Sequence, residues 1–254
     1  MIFITGDLHG DIDIHKLNTQ NFNIQNTLSR SDYLIICGDF GLVWDNSEEE
    51  KYWLKWLDNK PWTTLWIDGN HENFNLLKNY PYQIWHGGKI QKITDNIIHL
   101  CRGSIFDIDG RKIFAFGGAE SHDKPFRKPG RSIWEEELPS PEEMNQGLIN
   151  LDSVNWNVDI VITHSVSRHI QNHMFKGMGY KNNALNDYFD QLDSRLEYNM
   201  WFSGHYHRDM QYDKKHFLIY NNIIKLTDSG FERICPPSEL CRYIDRLPVS
   251  FSII

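Results

Sequence analysis

Five short polar motifs each close an apolar run of strand length in this chain of 254 residues. Asp7-Leu8-His9 follows Ile2-Phe3-Ile4-Thr5, and Gly38-Asp39 follows Tyr33-Leu34-Ile35-Ile36-Cys37. Gly69-Asn70-His71-Glu72 follows Thr64-Leu65-Trp66-Ile67, and His164 follows Asp159-Ile160-Val161-Ile162-Thr163. The last, Gly204-His205-Tyr206-His207, follows Asn199-Met200-Trp201-Phe202. In open α/β sheets ligands gather beyond the carboxyl ends of strands. A chain patterned this way must therefore bring carboxylates and imidazoles to one edge of a sheet.

The rest of the sequence is compatible with that arrangement. Residues 11–17, 73–78, 142–151 and 183–192 read as helices, and Ser47 followed by Glu50 marks another helix start that Pro61 ends. Residues 33–37, 62–67, 96–101, 104–108, 111–117, 159–163, 201–203, 217–220 and 223–227 read as strands, with Asp109-Gly110 a hairpin turn. Alternation of strand and helix in the first half implies parallel strands, and the hairpin-rich middle and end imply antiparallel or mixed ones. Two packed sheets with helices outside satisfy both signals. No linker divides the motifs, so residues 1–254 read as a single domain, with a polar, Pro-containing insert or lid over residues 121–141.

A net charge of −8 argues against extensive nucleic-acid binding, though not against a nucleotide or short oligonucleotide. No apolar stretch approaches the ~20 residues of a membrane span. The cysteines, Cys37, Cys101, Cys235 and Cys241, show no CxxC or zinc-finger spacing. No leader is expected before the first strand, and a reducing cytoplasm is the expected compartment.

Carboxylate and imidazole together suit manganese, iron or zinc. A pair of cations about 3.5–4 Å apart needs a shared anionic ligand. Asp39, after a buried strand and a glycine, is the natural bridge. Asp7 and His9 are two residues apart, so an extended backbone lets both reach one cavity, and His205 and His207 repeat that spacing. Asn70 offers a neutral amide oxygen.

The series DxH, GD, GNH, H and GHxH resembles the calcineurin-like metallophosphoesterase family over about residues 1–210. The resemblance implies a four-layer α/β/β/α sandwich and two divalent cations, most simply Mn²⁺, with Fe or Zn as alternatives. One cation would be held by Asp7, His9, Asp39 and His207, the other by Asp39, Asn70, His164 and His205. A hydroxide bridging them would attack a phosphomonoester or phosphodiester. Asn70 and His71 would touch the phosphate, and His71 would protonate the leaving oxygen. Protein phosphatases of this superfamily carry arginines in the second motif and before the third; Gly38-Asp39-Phe40-Gly41-Leu42-Val43-Trp44 and Ile67-Asp68-Gly69 lack them, which disfavours a phosphoprotein substrate. A nuclease is the main alternative, and a scaffold that has lost catalysis fits less well because the whole ligand set is present.

Outside the motifs, Arg127 and Arg131 of the cationic, aromatic insert are candidates for binding substrate phosphate. His122 is a candidate for lining the pocket. His15, His86, His99, His169, His173 and His216 are expected at the surface or partly buried. Ser132 and Glu135 suggest a further helix start, and Trp53 and Trp56 read as core.

Overall fold

The computed structural model describes residues 1–122 and 124–234; Cys235 and Cys241 lie outside them. In chain order the first half runs β1 (Ile2–Thr5), β2 (Tyr33–Ile36), α1 (Glu48–Asp58), β3 (Thr63–Trp66), α2 (Phe74–Leu77), β4 (Tyr82–Trp85), β5 (Gly88–Lys92), β6 (Ile97–Leu100), β7 (Ser104–Ile108) and β8 (Arg111–Phe116). It continues through α3 (Pro141–Ser153), β9 (Ile160–Thr163), α4 (Arg168–Met174), α5 (Ala184–Arg195), β10 (Met200–Ser203), β11 (Met210–Gln211), β12 (His216–Leu218), β13 (Ile223–Thr227) and β14 (Gly230–Ile234).

Two mixed sheets result. One has the order β14-β13-β1-β2-β3-β6-β5-β4, the other β11-β12-β10-β9-β8-β7. Strands β1, β2, β3 and β6 are parallel in the first, and β8, β9, β10 and β12 in the second. Antiparallel strands close the margins. The two-residue period of each strand divides its side chains between two cores. Ile2, Ile4, Ile35 and Leu65 meet Ile113, Ile160, Ile162 and Phe202 in the layer between the sheets. Phe3, Leu34, Ile36 and Trp66 face outward with Leu57 of α1, while Phe114, Val161 and Trp201 face outward with Leu151 of α3 and Phe189 of α5. The central parallel strands are buried on both faces, which is why they read as unbroken apolar runs. This is the expected sandwich of two mixed sheets between helices.

Helix starts follow local chemistry. Ser47 caps α1 by accepting from the Glu50 amide, and three glutamates in the first turn face the positive end of the helix dipole. A capping box of Ser140 and Glu143, with Pro141 at the start, opens α3. Ser132 does not cap a helix: its Oγ accepts from the Lys128 amide at 2.9 Å, and the glutamates that follow form only a 3-10 turn, Glu135–Glu137. Residues 11–17 likewise tighten to a 3-10 turn, Ile14–Leu17. The hairpin β4–β5, the helix α4 and the marginal strands β11 and β14 have no counterpart in the sequence reading. Between β8 and α3 the described residues hold only 3-10 turns and irregular backbone. Among the described residues no helix is long and apolar enough to cross a membrane.

Candidate metal centre

The carboxyl ends of β1, β2, β3, β9 and β10 meet where the two sheets adjoin, and the five motifs converge there. Asp39 lies at the centre. His9 Nε2 is 3.3 Å from its Oδ2, and His164 Nε2 is 3.3 Å from its Oδ1. Each imidazole is aimed by its other nitrogen: His9 Nδ1 donates to Asp13 Oδ2 at 2.7 Å, and His164 Nδ1 donates to the Cys37 carbonyl at 2.7 Å. Both Nε2 atoms are therefore turned toward the carboxylate, one to each oxygen. His207 Nε2 stands 3.3 Å from Asp7 Oδ2, and Asn70 Oδ1 stands 3.3 Å from His164 Nε2. Asp7, His9, Asp39 and His207 offer ligand atoms within 4.8 Å of one another, as do Asp39, His164 and His205, so Asp39 belongs to both groups.

The backbone bends sharply to achieve this. His9, Asp39, His205 and His207 all have positive φ, between 45° and 68°. The extended backbone expected for Asp7–His9 and His205–His207 is thus replaced by left-handed turns, a region Asp and His enter more readily than most residues. The preceding glycines are needed for space. A Cβ on Gly38, where φ is also positive, would overlap the His164 ring, and one on Gly204 would overlap Asp7 Oδ1.

Several residues that the sequence reading missed hold the motifs in place. The Asp7 carboxylate accepts from the His205 amide at 3.0 Å, and Asp39 Oδ1 accepts from the His71 amide at 2.8 Å. The buried Glu72 carboxylate accepts from the Phe40 amide at 2.7 Å and the Gly41 amide at 3.3 Å, locking the second motif to the third. Lys16 Nζ donates to the carbonyls of Gly6, Asp7 and Tyr220 at 3.0, 2.5 and 2.8 Å. The Tyr220 hydroxyl donates to Asp13 at 3.2 Å while its ring stacks on His207, with centroids 4.6 Å apart. No periodic pattern announces Lys16 or Tyr220, because their contacts join the two ends of the described chain.

The insert borders the cluster on two sides. Arg127 Nη2 donates to His71 Nε2 at 2.9 Å, and its Nη1 donates to the Ser132 carbonyl at 3.0 Å. His122 Nε2 lies 3.1 Å from His205 Nε2, which puts this histidine at the rim. Ser121 Oγ accepts from Asn70 Nδ2 at 3.2 Å. Arg131 is exposed on the same segment. Of the remaining histidines, His99 and His216 are buried rather than superficial, because acidic partners hold them: Asp68 for His99, Asp193 and Asp213 for His216.

Charge is strongly coupled here. Burial opposes ionisation of Asp39, yet His164 and His9 overcome it and hold the carboxyl well below its usual range; His164 does the same, less strongly, for Asp7. Conversely, burial works against a charged imidazole, but the carboxylates raise His9 to about 9 and His164 to about 10. Burial, reinforced by His164, drives His205 well below its ordinary value, so its ring stays neutral. Burial also lowers His71, with Arg127 adding to the effect against Asp39. The charge of the carboxylates is balanced by imidazolium protons, the sites divalent cations would take over. The donor set, buried carboxylates and imidazoles with one amide oxygen, fits such cations.

A family model described as calcineurin-like phosphoesterase matches residues 1–209. The lariat debranching enzyme of Schizosaccharomyces pombe is 24% identical over 237 residues, covering 80% of this chain and 47% of that protein. The chain thus spans about half the length of the curated relative it matches. Among solved structures, the phosphopantetheinyl hydrolase of Mycobacterium tuberculosis aligns with 92% of this chain and 95% of its own, at 14% identity and a TM-score of 0.42.

Proposed function

This chain belongs to the calcineurin-like phosphoesterase family, and on that premise we propose that it hydrolyses a phosphomonoester or phosphodiester with two divalent cations gathered around Asp39. The observation that carries the reading is the Asp39 carboxylate itself, with a different imidazole Nε2 3.3 Å from each oxygen. Asp7, His9, Asp39 and His207 would hold one cation, and Asp39, Asn70, His164 and His205 the other. When bound, the pair would supply an activated water and neutralise phosphoryl charge. Manganese suits the mixed carboxylate and imidazole set, and iron or zinc shares these ligands.

The chain's own groups would do the rest. His71, half-buried beside the cluster, would protonate the leaving oxygen. Its backbone amide donates to Asp39, which anchors the residue beside the groups that would hold the metals. Arg127, donating to the His71 ring, would also present its guanidinium to a phosphoryl oxygen, with Asn70 beside it; Arg131 would add charge farther out. The likeness to a lariat debranching enzyme favours a diester among the substrates open to this site. Buried free thiols at Cys37 and Cys101 accord with a reducing, cytoplasmic setting.

The test is a panel of a nitrophenyl monoester, a bis-nitrophenyl diester, cyclic nucleotides, a phosphopeptide and oligonucleotides, each with Mn²⁺ and with EDTA. Turnover with manganese is expected to exceed that with EDTA by orders of magnitude on at least one ester. Equal rates in both conditions would sink the reading.

A further inference from the structure

We propose that the substrate is a single-stranded nucleic acid, gripped across the mouth of the metal centre by residues 124–131 and by the segment 175–181. This deepens the phosphoesterase reading and rests on it. The first segment, Lys124-Pro125-Phe126-Arg127-Lys128-Pro129-Gly130-Arg131, carries four cations and no acid, though Lys124 pairs with Glu120 just before it at 2.6 Å. The second, Phe175-Lys176-Gly177-Met178-Gly179-Tyr180-Lys181, carries two and no acid. In a chain of net charge −8, this is a local reversal of sign.

Both segments reach the cluster. Arg127 Nη2 is 2.9 Å from His71 Nε2. At the other side, the Tyr180 ring packs edge-on against His122, with centroids 4.1 Å apart, and His122 Nε2 is 3.1 Å from His205 Nε2. The two cationic segments thus border the cluster at two places, one at His71 and the other, through His122, at His205, and a chain of phosphates could pass between them. Aromatic faces are interleaved with the charge. Phe126, next to Arg127, is 90% exposed, and Tyr180 is half-buried at the opposite rim. A lone exposed phenylalanine is ordinary. One flanked by cations, on the segment that touches His71, has the composition of a base-stacking platform, which any base can use because every base has a π-face. A small ester held at His71 would leave Phe126 and Lys128 idle, and a phosphopeptide has no row of planar rings to lay on them. In the reaction, the oxygen of water bonds to phosphorus while the bond to the leaving nucleoside oxygen breaks, its electron pair staying on that oxygen. His71 donates a proton there, and a proton from the water passes to the surroundings.

Fluorescence anisotropy of a labelled oligothymidylate, read with Mn²⁺ present, tests the binding, and turnover of bis(4-nitrophenyl) phosphate reports the metal centre separately. Binding is expected to weaken between about 50 and 200 mM salt, and Lys128→Glu to flatten the log–log slope by about 0.7. Phe126→Ala is expected to weaken binding about tenfold. Both variants should hydrolyse the small diester at the wild-type rate, which also shows that they fold. Hydrolysis of the small diester without oligonucleotide binding would overturn the inference and leave the phosphoesterase reading standing. So would wild-type binding by both variants, or a phosphopeptide cleaved in preference to the oligonucleotide. Oligonucleotide binding without manganese-dependent turnover of any ester would instead sink the phosphoesterase reading.

Discussion

The strand-end cluster and the rim around it are made of different material. Asp7, Asp39, Asn70 and His164 are at most 3% exposed and sit where parallel strands stop, so the β-sandwich fixes their positions. Arg127 and His122 belong to a stretch whose described residues have no strand or α-helix, and they reach the same centre from solvent. A rigid core of ligands can serve any phosphoester. On the proposed reading, the irregular rim would tell one ester from another, since a loop can change length and charge without disturbing the sheets. His71 lies between the two, its backbone tied to the core and its ring touching the rim.

The largest effect should come from the centre of the rigid part. Asp39→Asn removes the charge shared by both candidate cations, and turnover with manganese is expected to fall to the level left in EDTA. The amide keeps the volume and an oxygen for the His71 N–H, and an unchanged circular-dichroism spectrum is expected to show that the loss is not unfolding. Full turnover by this variant would mean that the buried cluster is not the working part of the site. His71→Ala comes next. It should bind manganese normally yet lose about 10²- to 10⁴-fold in rate on an alkyl ester. The loss should shrink on a nitrophenyl ester, whose leaving group needs little protonation. Equal losses on both esters would take the acid role away from His71.

The same contrast explains what could be read from the sequence. Strands β1, β2, β3, β9 and β10 are covered on both faces, so each is a run of apolar residues that ends abruptly at its motif. The fold and the convergence of these side chains were legible together because one pattern encodes both. The edge strand β4 exposes Tyr82, Gln83 and Ile84 and so has no core face to give it a period. His99 looked superficial because its partner, Asp68, is 31 residues away in sequence. Tyr220 and Asp13 meet across 207 residues, beyond any local pattern. Of the insert only the composition was legible, not its place beside the cluster, since irregular backbone leaves no periodic trace. The contact of Arg127 with His71 is a fact of tertiary structure.

One buried group joins the two regions and gives a pH signature. Asp68, just past β3, accepts from Arg102 Nε at 2.8 Å and Nη2 at 2.6 Å, and the same Nη2 donates to the Glu136 carbonyl of the insert at 2.6 Å. Burial would raise the Asp68 carboxyl, but Arg102 and His99 lower it to about 2 from 3.8. As acid is added, the unfolded chain therefore takes up this proton first. The resulting stabilisation, about 2 kcal/mol, is fully present above about pH 4 and is lost as pH falls through about 2. Urea melts of wild type and Asp68→Asn should show the wild type losing about that much more stability across the window. Parallel pH profiles would mean that the joint between cluster and insert carries no such load.

The smallest effect separates the two halves of the cluster from each other. Asp13 accepts from His9 Nδ1 at 2.7 Å and from the Tyr220 hydroxyl at 3.2 Å, and the Tyr220 ring lies flat on His207. Asp13 therefore aims two ligands of one candidate cation and none of the other. Asp13→Asn keeps the shape but gives His9 a weaker acceptor. Manganese affinity should fall about tenfold, the low end for loss of a ligand's hydrogen-bond partner, because Asp13 itself is partly open to solvent. Calorimetric titration should resolve the loss at one of two sites, and turnover should recover at saturating manganese, which a general loosening of the fold would not allow. An equal loss at both sites would show that the pair of cations is held as one unit, and that the contrast between rigid and adjustable parts does not extend inside the cluster.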